Sequence, residues 1–169
     1  MTEIITEHID NNHKIIKKYY NNGQLACEIP FTGKDRDGWV KSYYENGNLH
    51  SECSYKNDLE QGIEKIYFES GDLSSETPFI NGQKNGLAKH YYGDGILSSE
   101  INYYKGYEHG SYKRYDGDGK LIEYTHYNFG EEVDFFSHLY NAFKENIEVV
   151  KRDLSTFCQN RISISRLKF

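Results

Sequence analysis

A strict repeat of 24 residues occupies most of this 169-residue chain and constrains its fold more than any other feature. One glycine returns at every 24th position without an insertion, with a leucine two places after it and an aromatic residue four places before it. Self-similarity at a fixed period of this size is typical of proteins whose units stack on their neighbours. The recurring glycines are Gly23, Gly47, Gly71, Gly95 and Gly119.

Each unit is predicted to be a β-hairpin. In the clearest copy, residues 39–44 and 49–55 are aromatic, β-branched or alternating in polarity, which favours strands. Gly47 lies between them in a slot that favours a turn closed by a left-handed residue. Residues 14–128 show no apolar spacing typical of helices. Five units therefore predict a mainly β protein, an elongated antiparallel meander of about ten strands.

The turn also predicts which side chains share a face of the sheet. The cross-strand pairs expected from a left-handed Gly47 are Tyr43 with Leu49, Lys41 with Ser51 and Trp39 with Cys53. The other face is expected to carry Tyr44, His50 and Glu52. A register error of one residue would exchange the two faces. Proline recurs in two units, at Pro30 and Pro78, where its missing N–H predicts an unpaired or bulged strand end.

The chain changes character after Gly130 and divides into three regions. Residues 1–13 are a polar lead-in whose isoleucines, Ile4, Ile5 and Ile9, are expected to cover the first sheet edge. Residues 14–130 hold the five repeats, and residues 131–169 are predicted to form an amphipathic C-terminal α-helix and a tail. The helix is expected to begin near Glu131 and to shield the aromatic face, unless it binds a partner. Its apolar stripe is Val133, Phe136, Tyr140, Phe143, Ile147, Val150, Leu154 and Phe157.

Charge and cysteine usage limit the kinds of partner and compartment. The net charge is −6, and residues 1–130 hold 14 basic and 20 acidic residues. An acidic surface disfavours nucleic acid and attracts basic partners, although ordinary solubility explains it equally well. We expect no signal peptide, no membrane span and a cytoplasmic location. Cys27, Cys53 and Cys158 are expected to be reduced, buried thiols.

A search for catalytic chemistry finds no candidate constellation. The seven histidines lack metal-ligand spacing, and the glycines recur as turn residues instead of forming a phosphate-binding loop. Glutamates recur at Glu28, Glu52, Glu76 and Glu100, about 10 Å apart from copy to copy in such a sheet. That row is too distributed for one active site. We therefore expect no enzyme activity, no cofactor and no bound metal.

The recurring pattern of glycines, aromatic residues, leucine and glutamate resembles the variant MORN repeat (membrane occupation and recognition nexus). The residues that carry it, with their copies, are Gly38, Tyr43, Tyr44, Gly47, Leu49, Glu52 and Tyr55. It looks most like the bacterial YwqK-type antitoxin, or immunity protein, family. The resemblance covers residues 14 to about 130 and implies neutralisation of a cognate protein toxin by direct binding. A scaffold associated with membrane lipid or with another protein is the alternative that the repeat's name suggests. The pattern leaves the toxin and the oligomeric state open.

One binding surface is predicted for a basic protein toxin. A row of rings is expected to supply contact area, and an acidic row beside it is expected to attract the partner. The predicted contact residues are Tyr44, Phe68 and Tyr92 in the ring row, and Glu52, Glu76 and Glu100 in the acidic row. The alternative is that both rows only stabilise the sheet.

Overall fold

The computed structural model describes residues 3–134, which form one antiparallel sheet of fourteen strands. No helix occurs in this part of the chain. The order across the sheet is β1-β2-β3-β5-β6-β7-β8-β10-β11-β12-β13-β14, with β4 beside β3 and β9 beside β8. The strands are β1 Ile4–His8, β2 His13–Tyr19, β3 Leu25–Thr32, β4 Asp35–Arg36, β5 Gly38–Tyr43, β6 Leu49–Lys56, β7 Leu59–Tyr67, β8 Leu73–Ile80, β9 Gln83–Lys84, β10 Gly86–Tyr91, β11 Leu97–Tyr104, β12 Tyr107–Tyr115, β13 Leu121–Asn128 and β14 Glu131–Val133.

The five repeats supply ten of these strands, two from each, and the predicted meander is confirmed. The four additional strands come from sequence features that the repeat pattern does not contain. The lead-in, expected only to cover an edge, forms β1 and becomes the edge itself. The short strands β4 and β9 precede β5 and β10, which are the two repeat strands interrupted beside a proline.

Strand β14 corrects the expected start of the C-terminal helix. Phe129 and Gly130 both have positive φ, 51° and 86°, which is the geometry of a two-residue hairpin turn. The turn folds Glu131–Val133 back onto β13, so strand pairing outweighs the acidic residues that suit a helix start. The rest of the predicted helix, and Cys158, lie outside the described residues.

The turn inside each repeat is confirmed. Gly47 has φ of +89° and donates its N–H to Tyr44 O at 2.9 Å, and the four equivalent glycines also have positive φ. The turn between repeats is of a second kind, which the sequence pattern indicated only as a polar segment. Asn57 and Asp58 both have positive φ there, 50° and 65°, so two residues close the connection between β6 and β7.

A β-bulge in every hairpin corrects the predicted register. Tyr43 does pair with Leu49, but the register then shifts by one residue, and His50 is the extra residue. The pairs beyond the shift are Lys41 with Glu52, Ser42 with Ser51, Val40 with Cys53 and Trp39 with Ser54. The predicted pairs of Lys41 with Ser51 and of Trp39 with Cys53 are therefore wrong. The extra residue places Glu52 on the face of Lys41 and Trp39.

The two faces of the sheet differ in what they bury. The face that carries Lys41 and Glu52 is here called the charged face. The opposite face, called the inner face, holds every described residue that is buried. These are the small side chains Cys53, Ser75, Thr77 and Ala88, at 5%, 6%, 5% and 0% exposure. A single sheet with a thin core of small residues depends strongly on bonds between neighbouring strands.

The strand beside Pro30 is interrupted, as predicted. Asp37 donates its N–H to Pro30 O at 3.1 Å, and the ladder between β3 and β5 keeps only the pairs at Cys27 and Glu28. A Cβ on Gly38 would lie 3.1 Å from Pro30 Cγ. The proline removes a ladder donor, and the glycine after the interruption leaves room for the proline ring.

Candidate partner-binding surface

The glutamates of the predicted acidic row form bonds between neighbouring repeats. Glu52 accepts a hydrogen bond from the hydroxyl of Tyr67 at 3.1 Å and lies 3.9 Å from Lys41 Nζ. The side chain of Glu52 is 21% exposed, so this carboxylate is partly withdrawn from water. The equivalent hydrogen bonds run from Tyr43 to Glu28, from Tyr91 to Glu76 and from Tyr115 to Glu100, at 3.3, 3.4 and 3.0 Å.

The tyrosines of this network remain neutral donors at neutral pH. Burial raises the pKa of Tyr67, and the hydrogen bond to Glu52 and its charge raise it further. Burial and the carboxylate of Glu100 raise the pKa of Tyr115 to about 12. Each tyrosine therefore keeps its proton at neutral pH and is the donor of the hydrogen bond to its glutamate.

The predicted ring row forms a second set of bonds between repeats. The hydroxyl of Tyr44 donates to Tyr67 O at 2.8 Å, and that of Tyr92 donates to Tyr115 O at 2.8 Å. Tyr92 is 37% exposed, and Tyr44 is half-buried. Phe68 occupies the same place in the repeat between them but has no hydroxyl to donate.

The structure places the predicted ring row and acidic row on opposite faces. The Tyr44 ring packs edge-on against His50, with 4.6 Å between ring centroids. His50 Nδ1 lies 3.1 Å from Ser42 Oγ, and Ser42 is next to Lys41 in β5. Because neighbouring residues of a strand point to opposite faces, Tyr44 and His50 lie on the inner side while Glu52 lies on the charged face. The predicted arrangement of one row beside the other is wrong, and the role of both rows in binding stays a prediction.

An exposed apolar stripe on the charged face was not predicted from the sequence. It consists of Trp39, Ile63 and Leu87, which are 54%, 48% and 40% exposed. Each lies one place after the opening glycine of its repeat and two places before the lysine of the charged row. The 24-residue spacing of these large apolar residues could have predicted the stripe from the sequence. The predicted register instead paired Trp39 with Cys53, whereas Trp39 pairs with Ser54 in the structure.

The stripe crosses the sheet next to paired charges. Trp39 shares β5 with Lys41, and Ile63 shares β7 with Lys65, whose Nζ lies 3.9 Å from Glu76. Between the exposed side chains, the stripe continues over Pro78, the direct partner of Ile63. Exposed apolar side chains bordered by charges are typical of surfaces that bind other proteins, and tryptophan is enriched among strong interface contacts.

Burial shifts the pKa of two titratable groups on the inner face in the direction of their neutral forms. Burial raises the pKa of Glu64, an effect that Lys84 opposes and Glu60 reinforces. Burial, with a smaller contribution from Lys84, lowers the pKa of His90, whose Nδ1 lies 3.2 Å from Ser99 Oγ.

Two cysteines lie among the described residues. Both Cys27 and Cys53 are free thiols; Cys53 is buried as predicted, whereas the prediction of a buried Cys27 is wrong, because that side chain is only half-buried. Burial raises the pKa of Cys53 to about 11. Among residues 3–134, no group of three or more His, Cys, Asp or Glu side chains could hold a metal ion. The same residues contain no helix that could cross a membrane.

Comparison with known families identifies the repeat. The family model described as MORN repeat variant matches five segments, residues 12–32, 36–57, 60–81, 84–105 and 108–128. Each segment spans one of the five hairpins, and together they cover more than half of the chain. No curated protein matches the sequence significantly.

Proposed function

This chain belongs to the family of MORN repeat variants, and from that membership we propose that it is a non-catalytic binding protein, an antitoxin that neutralises a cognate protein toxin by direct contact. The resemblance to YwqK-type antitoxins motivates the toxin as partner. The reduced thiols Cys27 and Cys53 are consistent with action in the cytoplasm.

The observation that carries the proposal is the apolar stripe of Trp39, Ile63 and Leu87 beside the lysine–glutamate row. Exposed rings and aliphatic side chains supply contact area, and the charges around them favour partners with complementary groups. The net charge of −6 favours a basic toxin. The glutamates would attract the toxin through their electrostatic field and not through direct bonds, because tyrosines and lysines already contact their carboxylate oxygens.

The experiment is a growth assay with the protein encoded by the neighbouring gene. That protein is expressed alone and together with this chain in a bacterial host. We expect growth arrest when it is expressed alone, recovery when both are expressed, and a complex that co-purifies. Absence of toxicity, or toxicity that this chain does not relieve at equal expression, would contradict the antitoxin proposal.

A matched pair of variants tests the surface. Ile63→Glu places a charge in the apolar stripe and should abolish protection and weaken the complex at least tenfold. Ile122→Glu is the control, since Ile122 is also 48% exposed but occupies the bulge position of His50 on the inner side. Both variants should retain the wild-type circular dichroism spectrum. Equal loss of protection in both would exclude the stripe as the contact surface, even if the antitoxin activity itself is real.

A further inference from the structure

The outer side of β1 carries backbone groups that nothing in residues 3–134 pairs with. Tyr19 donates its N–H to Glu3 O, and Ile9 donates its N–H to His13 O, both at 2.9 Å. Both bonds show that odd-numbered residues of this segment direct their backbone groups toward β2. The N–H and C=O groups of one strand residue point the same way, and the direction alternates along the strand. The backbone groups of Ile4, Thr6 and His8 therefore point outward.

Within residues 3–134, this edge lacks several of the features by which natural sheets prevent edge pairing. Strand Ile4–His8 contains no proline and no lysine, and its register with β2 runs without a bulge. Its one carboxylate, on Glu7, is 2.9 Å from Lys17 Nζ. All five residues of the strand are exposed, and Ile4 remains 61% exposed. A regular, exposed edge without these features is a template for another strand.

The other edge of the sheet differs. Strand β14 has three residues, Glu131–Val133, and Asp134 follows it. Two of its residues are glutamates, so two copies of this strand would bring like charges together. Edge pairing between identical strands is therefore favoured at β1 and disfavoured at β14.

We propose that β1 pairs antiparallel with β1 of a second copy of this chain, centred on Thr6. This register places Thr6 opposite its own counterpart and Ile5 opposite Glu7 of the other copy. The remaining opposed pairs are Ile4 with His8 and Glu3 with Ile9. No two like charges are directly opposed, and the two Ile5 side chains become diagonal neighbours on one face. The arrangement is a two-fold interface that joins two sheets into one, and it goes beyond the binding activity proposed above.

The first test measures the oligomeric state of the full-length protein by light scattering and analytical ultracentrifugation. We expect a dimer whose dissociation constant rises at least tenfold in Thr6→Pro, which removes an outward N–H and spares the donors to β2. Thr6→Val is the control, because it keeps that N–H and should remain dimeric. A wild-type protein that is still monomeric at about 100 μM would overturn the proposal. A dimer that Thr6→Pro leaves intact would also overturn it.

The second test determines the register by cross-linking and does not depend on how well Thr6→Pro folds. Directly opposed residues that exchange backbone bonds have Cα atoms about 5.5 Å apart, which a disulfide can span. Thr6→Cys should give a covalent dimer on mild oxidation, above the level of the unsubstituted protein. Glu3→Cys should not, since two copies of that position would be roughly 20 Å apart in this register. Cross-linking through Glu3→Cys and not through Thr6→Cys would refute the proposed pairing.

Discussion

The Tyr67 hydroxyl donates a hydrogen bond to the Glu52 carboxylate, 3.1 Å away and fifteen residues earlier in the chain. The two side chains belong to consecutive repeats, so the bond holds one hairpin to the next. The same bond recurs at each of the other three repeat junctions in the described chain. Two residues that recur in the repeat, the tyrosine and the glutamate, therefore join its copies.

The first prediction concerns the strength of this bond. Tyr67→Phe and Glu52→Gln should each lower the free energy of unfolding, and a double-mutant cycle should give a coupling energy of about 1 kcal/mol. The value is modest because the Glu52 side chain is 21% exposed and water can replace part of the bond. Chemical denaturation of the four proteins measures it. A coupling energy indistinguishable from zero would show that the contact contributes nothing to stability.

The second prediction is a stabilising substitution at Phe68. Tyr44 and Tyr92 each donate to a backbone carbonyl 23 residues ahead, and Phe68 cannot. Phe68→Tyr should donate to Tyr91 O and raise the free energy of unfolding by roughly 0.5–1.5 kcal/mol. Tyr44→Phe is the matched control and should lower it by a similar amount. A destabilised Phe68→Tyr variant would mean that the site has no room for a hydroxyl.

The third prediction separates backbone strain from crowding at two glycines. Gly71 has φ of +98° and open space where a Cβ would lie, whereas Gly86 has φ of +116° and a Cβ there would lie 3.0 Å from Pro78 Cγ. Gly71→Ala should cost about 1–2 kcal/mol from strain alone. Gly86→Ala should cost about 1–3 kcal/mol more, because the proline must move. Thermal and chemical denaturation compare the two, and equal losses would show that the proline ring adapts freely.

The fourth prediction is a pH dependence that arises from Glu64. Its pKa is raised in the folded state, mainly by burial, so the folded protein holds this proton at a pH where the unfolded chain has released it. Stability should therefore fall as pH rises through the ordinary glutamate pKa and toward the folded value. Glu64→Gln removes this dependence, so the variant should gain stability relative to wild type between pH 4 and pH 7. Denaturation at both pH values tests this, and a constant difference would assign the effect to another group.

The repeat hairpins could be predicted because glycine spacing and strand composition are local properties. A single extra residue in the second strand could not, since the sequence around His50 resembles any strand position. The extra residue determines the face of the sheet on which Glu52 lies. In the structure, Glu52 lies on the face of Lys41, and Tyr44 lies on the opposite face. The apolar stripe was missed for the same reason. The types of side chain predicted where the strands lie. The register between two strands depends on how the whole hairpin pairs, which the sequence alone does not show.

Strand β1 was missed for a different reason. Residues 4–8 carry no copy of the repeat. The segment between them and the next strand, which begins at His13, contains no glycine to mark a hairpin turn. Asp10 instead closes that turn by accepting the N–H groups of Asn12 and His13 at 2.7 and 2.8 Å. An aspartate that bonds the backbone two or three residues ahead is a turn signal in its own right, and it could have been read from the sequence.

The strand order of the repeats has a consequence for synthesis on the ribosome. Within residues 3–134, every long strand pairs with the long strands just before and after it in the chain, so none of these strand pairings waits for a distant segment. A hairpin can close as soon as its 24 residues have emerged, and the next one adds to an existing edge. The growing sheet therefore always presents one unpaired strand edge, and the next strand of the chain is the segment nearest to it.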